Sequence, residues 1–148
     1  MKALAIHQPY AWLIIQGIKD VENRTWPTNH QDFFYIHATM AKDVELPAWQ
    51  RAELDRKGMV LPTDLPHGGI IGKVRLEKCV ERVDLSWWRR IRCRLLGKGC
   101  IDQPDSIWFE GPYGFILRDA QPLPFVPYRG QQKFFNVPDD LYGSELGN

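Results

Sequence analysis

Gly17-Ile18-Lys19-Asp20-Val21-Glu22-Asn23-Arg24 is the most informative stretch of this chain. A glycine that can end a helix is followed at once by a lysine, two carboxylates and an arginine. On a strand, Glu22 and Arg24 point to the same side, because side chains alternate between the two faces. Charged groups this close together can shift one another's pKa and can hold a polar ligand. The stretch therefore predicts a helix end, a strand and a candidate binding site in direct succession.

The flanking residues complete this local prediction. Apolar residues spaced at i, i+3 and i+4 predict a helix from Pro9 to Gln16. Lys19 would then lie near the negative end of the helix dipole. A strand predicted over residues 21–26 is expected to end at Pro27, which cannot donate to a ladder.

Read from Gln8-Pro9 onward, this segment resembles the G-x-K-x-x-E-x-R signature of the ASCH family, small domains similar to the RNA-binding PUA fold. The resemblance is closest from Ile6 to Trp26. It implies an α+β fold: a PUA-like mixed β pseudobarrel flanked by helices, with a cleft between the barrel and the helices.

The rest of the chain mixes short strands and helices without regular βαβ alternation, which favours a small mixed barrel over a parallel sheet. Residues 33–38 lack alternation and are expected to form a central strand buried on both faces. A bend or bulge is expected near Gly72, and a turn-rich connection over 121–130. The remaining predicted strands are 2–7, 69–83, 113–117 and 133–137, and the remaining predicted helices are 48–57 and 87–96.

Length and charge limit the possible functions. The 148 residues fit one domain over residues 1–148. The formal net charge is +1, so no global field draws the chain to nucleic acid or to a membrane. From Lys73 to Lys98, however, nine Lys or Arg stand against three acids. Attraction to a polyanion would therefore come from a local patch.

Several classes of site have no support in the sequence. The three cysteines are scattered without a C-x-x-C pair, and no apolar run is long enough for a signal peptide or a membrane span. A cytoplasmic protein is therefore expected. The four histidines lack metal-binding spacing, and no Gly-rich phosphate loop or G-x-S-x-G elbow occurs. We expect no metal, no cofactor and no membrane contact.

The resemblance implies that the cleft meets the polar edge of a nucleobase or its phosphate, so the expected partner is RNA or a nucleoside. Some small ASCH proteins are amidohydrolases that remove an acyl group from N4-acetylcytidine or related nucleosides. By that resemblance, Lys19 is the catalytic base and Glu22 its partner, while Glu110, in a turn between aromatic residues, is a candidate second carboxylate. The expected substrate-binding residues are Gln8, Pro9, Asn23, Arg24 and Arg129.

This chain departs from the amidohydrolase pattern at one position. The related amidohydrolases carry a threonine where Glu22 stands here, so either water attacks the substrate directly or the activity differs. Spacing alone is also explained by a helix-terminal lysine and an exposed charge pair, and Glu110 by a solvated turn.

Two other functions use the same residues. In a non-catalytic RNA-binding module, Arg89, Arg90 and Arg94 on the predicted helix 87–96 would contact phosphates, although a solvated amphipathic helix explains them as well. In a ribonuclease, Lys19 and Glu22 would serve as general acid and base at the ribose 2′-OH.

Overall fold

The structure is a computed structural model that describes residues 1–82 and 105–143. Within these residues, six strands form one mixed sheet in the order β2-β5-β4-β3-β1-β6. β1 and β3 run parallel, and the other neighbouring pairs are antiparallel. The strands are β1 (Lys2–Ile6), β2 (Val21–Arg24), β3 (Phe33–Ala38), β4 (Gly69–Glu81), β5 (Tyr113–Pro127) and β6 (Phe134–Asn136). This is the α+β architecture that the sequence predicted.

Two helices, α1 (Tyr10–Ile15) and α2 (Ala48–Arg56), flank the sheet. The apolar side of α1 is buried, and the helix contacts β3, β4 and β5. Gly17 follows it with φ of 73°, the left-handed conformation that ends a helix and that glycine adopts without strain. The chain then turns directly into β2, as the sequence predicted.

The pairing of β4 with β5 is long and irregular. Its register shifts at three places, one of them between Ile70 and Gly72, where a bend was expected. A Cβ at Gly72 would lie 2.5 Å from Ile15 Cδ1 and 2.6 Å from the Gln121 carbonyl oxygen. Glycine at this position therefore lets α1 and β5 approach β4 from both sides, which increases the curvature of the sheet.

The expected turn-rich connection over residues 121–130 was wrong for most of its length, because β5 continues to Pro127. β2 pairs with β5 only along residues 113–116, so among the described strands the later part of β5 has no neighbour on that edge. Proline is tolerated on such an edge, because its missing N–H removes no ladder bond there. Pro122, Pro124 and Pro127 favour turns when the sequence is considered alone, but in the structure they lie in β5.

The sheet curls into a half-barrel, and one arginine spans its opening. β2 lies at one edge and β1 lies four positions away, yet Arg24 Nη2 donates to the Ala5 carbonyl oxygen at 2.8 Å. Trp26, just after β2, also packs edge-on against Phe134 of β6, with ring centroids 5.7 Å apart. We call this place, where β2 meets β1 and β6, the seam.

The interior is filled mainly by β1, β3, β4 and α1. β3 is buried over five of its six residues and lies between β1 and β4, so the prediction of a central strand is confirmed. The largest fully buried side chains include Phe34, Phe115 and Leu4. The predicted helix 87–96 lies outside the described residues.

Candidate functional site

Three charged side chains form a continuous chain at the end of α1. Lys19 Nζ donates to the Val21 carbonyl oxygen at 2.6 Å and to Glu22 Oε2 at 2.7 Å. The other carboxylate oxygen, Glu22 Oε1, lies 3.1 Å from Arg24 Nη2. The Lys19 and Glu22 side chains are only 5% and 11% exposed. Burial and mutual pairing therefore distinguish this group from an exposed surface ion pair.

Lys19 and Glu22 line a small cleft, which we call the Lys19 cleft. Its volume is about 180 Å³. The lining residues come from α1, β2, α2 and the turn before β5, and they are Tyr10, Lys19, Glu22, Asn23, Gln50, Trp108 and Glu110. The cleft thus lies between the sheet and the helices, where the resemblance implied one.

Tyr10 and Gln50 form one wall of this cleft. The Tyr10 hydroxyl donates to Gln50 Oε1 at 2.9 Å, and Gln50 is buried despite its polar side chain. Burial is the main cause that raises the pKa of Tyr10, and the Glu110 and Glu22 carboxylates raise it further, against the lowering effect of the Gln50 hydrogen bond. Lys19 Nζ lies 5.4 Å from the centre of the Tyr10 ring, within the range of a cation–π contact.

Asn23 positions the opposite wall. Its Nδ2 donates to the Trp108 carbonyl oxygen at 2.8 Å, and its Oδ1 accepts from the backbone N–H groups of Glu110 and Gly111 at 2.9 and 3.1 Å. Asn23 thereby holds the turn that carries Trp108, which is buried, and Glu110, which is exposed at the rim. The Glu110 side chain makes no ion pair within the described parts of the chain.

Two of the predicted site residues lie elsewhere. Arg24 and Arg129 line a second, larger hollow of about 890 Å³ beside the seam, which we call the seam hollow. Its lining residues are Ala5, His7, Arg24, Trp26, His37, Thr39, Met40, Gly68, Tyr128, Arg129, Gly130, Gln131, Gln132 and Lys133. The two hollows share no lining residue, and the Glu22–Arg24 ion pair connects them.

Gln8 and Pro9 stabilise the structure around the site and do not line either hollow. Gln8 is fully buried, its Nε2 donates to the Pro66 carbonyl oxygen at 2.9 Å, and its Oε1 accepts from the Trp12 N–H at 3.0 Å. Pro9 is also buried, and its carbonyl oxygen accepts from the Leu13 N–H. The Gln8 amide thus fixes the start of α1 against a distant loop and is not directed at a ligand.

The remaining expectations concern the basic helix, metals and membranes. Arg89, Arg90 and Arg94 lie outside the described residues. Within residues 1–82 and 105–143, no group of three or more His, Cys, Asp or Glu is arranged to hold a metal ion. No helix of the described chain has the length and apolarity needed to cross a membrane.

Sequence reasoning missed Tyr10, Gln50 and Trp108 as lining residues of the Lys19 cleft. One signal was present: Gln50 and Leu54 are spaced at i and i+4 on α2, and both are buried. A glutamine on the apolar face of a helix predicts a buried polar partner, which here is the Tyr10 hydroxyl.

The site offers donors and acceptors side by side in a confined space. Two of the three Lys19 ammonium hydrogens have partners in the hydrogen bonds above, and no hydrogen bond to the described residues uses the third. The Glu22 and Glu110 carboxylates accept hydrogen bonds only, while ionised. Such a cleft can bind the edge of a flat polar heterocycle.

Comparisons with known proteins agree with this architecture. A family model described as the ASCH domain matches residues 4–137. The chain is 39% identical to Activating signal cointegrator 1 of Homo sapiens and 38% identical to that of Mus musculus, over 97% of this chain and 24% of each relative. The chain thus spans about a quarter of the length of these relatives.

Solved structures show the same fold. The crystal structure of ASCH from Zymomonas mobilis superposes with a TM-score of 0.53 at 20% identity, covering 95% of this chain and 90% of that one. A mutant of that protein gives a TM-score of 0.52 at 18% identity, with 95% and 92% covered.

Proposed function

The chain belongs to the ASCH domain family, and on that premise we propose that its Lys19 cleft binds the base of a modified pyrimidine nucleoside, free or within RNA. The observation that carries the proposal is the buried Lys19–Glu22 pair, 2.7 Å apart, in a cleft with tyrosine and tryptophan in its walls.

The donor and acceptor pattern of the cleft matches the edge of a cytosine. Cytosine has an exocyclic amine that donates, and carboxylates are its usual acceptors in proteins. Its ring nitrogen and carbonyl oxygen accept, and an ammonium donates to both. Glu22 and Lys19 supply these two functions at adjacent positions. Tyr10 and Trp108 add aromatic surface of the kind on which unstacked bases pack.

Size supports a single base. A volume of about 180 Å³ admits one planar heterocycle with a small substituent but no stretch of duplex. Recognition of RNA through this cleft would therefore require a base turned out of any stack, which is how proteins read single-stranded RNA.

A second candidate function, hydrolysis of N4-acylcytidine, is favoured by the placement of Glu22 next to an ammonium. Water would add to the acyl carbonyl carbon, the bond from that carbon to N4 would break, and N4 would take up a proton, giving cytidine and a carboxylate. Lys19 Nζ donates to a carbonyl and to a carboxylate, so the structure uses it as a hydrogen-bond donor. Glu22 then suits the role of base, and Lys19 that of donor to the developing oxyanion.

Glu22→Gln tests both functions. The variant keeps the shape of the side chain but removes the carboxylate, so it should weaken binding of N4-acetylcytidine by about tenfold in titration calorimetry, since a charged partner contributes roughly 1.5–3 kcal/mol. Cytidine release, followed in the same samples, should fall to background.

Glu53→Gln is the matched control. The Glu53 side chain is 12% exposed, close to the 11% of Glu22, and it is also ion-paired, yet it does not line the cleft. Equal affinity of wild type and Glu22→Gln, with both folded, would contradict the binding proposal. Tight binding without turnover by wild type would retain recognition and reject hydrolysis.

A further inference from the structure

We infer that the seam hollow is a second ligand subsite, which holds a backbone phosphate of the RNA strand whose base enters the Lys19 cleft. This inference rests on the proposed function, because it assumes that the ligand of the cleft can be part of RNA. It concerns residues that the recognition of the base does not use.

The charge of the hollow favours an anion. Arg24, Arg129 and Lys133 line it together with His7 and His37, and no carboxylate of residues 1–82 or 105–143 is among its lining residues. Arg129 and Lys133 are exposed and make no ion pair within the described part of the chain. Cations that no carboxylate neutralises, gathered in a concave surface, attract phosphate groups.

Two buried polar atoms of the hollow lack partners. Among the described groups, neither Arg24 Nε nor His37 Nδ1 makes a hydrogen bond. His37 is only 2% exposed, and its other ring nitrogen, Nε2, lies 2.7 Å from the Tyr128 carbonyl oxygen. One His37 ring nitrogen therefore has a partner, and the other has none among the described groups. Buried polar atoms without partners are rare in proteins and point to a polar ligand.

The loop that closes the hollow is held in an unusual conformation. A Cβ at Gly130 would lie 2.7 Å from His37 Cε1 and 3.0 Å from His37 Nδ1, so only glycine lets the backbone approach the imidazole this closely. Lys133 has a φ of 57°, which is uncommon for a residue with a side chain. Strained backbone of this kind gathers at ligand sites.

The position of the hollow fits a strand that passes from one subsite to the other. Glu22 lines the Lys19 cleft and Arg24 lines the seam hollow, and both point to the same side of β2. Residues two apart on a strand are separated by about 6.5 Å, close to the span of one extended nucleotide. The volume of about 890 Å³ admits a phosphate with its ribose, and Trp26 and Tyr128 offer surface to a neighbouring base.

The test combines Arg129→Ala with Lys133→Asn, because asparagine tolerates the left-handed backbone at residue 133. The probe is a fluorescein-labelled single-stranded oligocytidine, and its affinity is measured by anisotropy over a series of salt concentrations. The double variant should bind it roughly tenfold more weakly, and the slope of log affinity against log salt should fall by about 1.4, near 0.7 for each lost phosphate contact. Binding of N4-acetylcytidine should not change.

Arg51→Ala with Lys57→Ala is the control, since it removes the same charge from α2 and its end, outside the hollow. A loss of affinity equal to that of the control would overturn the subsite while leaving the Lys19 cleft proposal intact. If wild type binds no oligocytidine, the subsite is overturned as well, whether or not wild type binds N4-acetylcytidine. Cytidine monophosphate that binds as tightly as the oligomer, and depends on the same two residues, would assign the hollow to a free nucleotide instead.

Discussion

At the scale of single residues, Lys19 has a structural as well as a chemical role. Its ammonium neutralises a buried carboxylate and donates a hydrogen bond to the Val21 carbonyl oxygen at the start of β2. A buried ion pair contributes little relative to an apolar replacement of both partners, but the loss of one partner leaves the other charge uncompensated. The site is thus sensitive to removal of either charge.

Lys19→Met should therefore destabilise the fold by about 3 kcal/mol, because Arg24 is then the one charged partner left to Glu22 among the described residues. Urea unfolding of wild type and variant measures the difference. Arg56→Ala, which removes a largely exposed arginine and leaves Glu53 paired with Lys57, should hardly change the midpoint. A Lys19→Met midpoint equal to that of Arg56→Ala would show that the buried carboxylate does not depend on Lys19.

The sequence predicts the contacts between residues of this site that are close together in the chain, but not the contacts between residues that are far apart in it. The pairing of Glu22 with Arg24 follows from strand alternation, and the ion pair at 3.1 Å confirms it. The burial of Gln8 could not be derived, because its carbonyl partner Pro66 is 58 residues away. Local spacing identifies which side chains are neighbours, but it does not show which of them the rest of the chain covers.

At the scale of elements, the contact between α1 and β4 depends on Gly72. Gly72→Ala should destabilise the protein by about 2 kcal/mol, since the new methyl group overlaps Ile15 on one side and the Gln121 backbone on the other. Thermal unfolding measures the change.

Gly58→Ala separates this clash from the general effect of adding a methyl group. Nothing lies within 4 Å of a Cβ at Gly58, so only its left-handed backbone, with φ of 66°, resists the substitution, by about 1 kcal/mol. If the Gly72→Ala protein is more stable than the Gly58→Ala protein, the close contact between α1 and β4 at Gly72 does not limit the size of the side chain there.

Elements with a strong local signature were predictable, and those set by pairing were not. The helix before Gly17 and the buried strand β3 follow from periodicity and composition. β5 was predicted too short, because proline and glycine signals usually mark turns. Only the partner strand β4, which continues opposite residues 121–127, reveals that the segment is extended.

At the scale of the whole molecule, ionisation of one buried and two partly buried tyrosines links stability to alkaline pH. Burial is the main cause that raises the pKa of Tyr10, Tyr35 and Tyr142 above the ordinary value of 10.0, in the case of Tyr142 to about 12. Below pH 10 these tyrosines are protonated in both the folded and the unfolded state, so their contribution to the free energy of unfolding is fully present. As pH rises through the folded values, the unfolded state loses protons first, so the free energy of unfolding falls.

Urea unfolding at several pH values between about 9 and 12 measures this fall. Tyr142→Phe should show a shallower decline than wild type, although it also loses the hydrogen bond from the Tyr142 hydroxyl to the Pro124 carbonyl oxygen at 3.0 Å. The loss of this bond lowers the stability of the variant already at neutral pH, so the two proteins are compared by the change of stability with pH and not by its absolute value. If the stability of Tyr142→Phe falls with pH as steeply as that of wild type, Tyr142 has the same pKa in the folded and the unfolded state, and the prediction is wrong.

The mixed half-barrel with a cleft between sheet and helices was predictable, because the motif near Gly17 resembles a known family. The division of the predicted site into two hollows could not be predicted from the sequence. Arg24 lies on the same side of β2 as Glu22, two positions away, yet it lines a different cavity, because the curl of the sheet brings β1 against the end of β2. The pairing of β4 with β5 has three register shifts, and the local sequence predicts only the one near Gly72.

The arginine that spans the seam also affects how copies of this chain meet one another. The Ala5 carbonyl lies just beyond the last residue that β1 pairs with β6, and the Arg24 guanidinium occupies it. An extended peptide that tried to lengthen the sheet there would have to displace a charged group. Intermolecular strand addition is thereby discouraged, so Arg24 protects the protein against aggregation at the same place where it borders a ligand hollow.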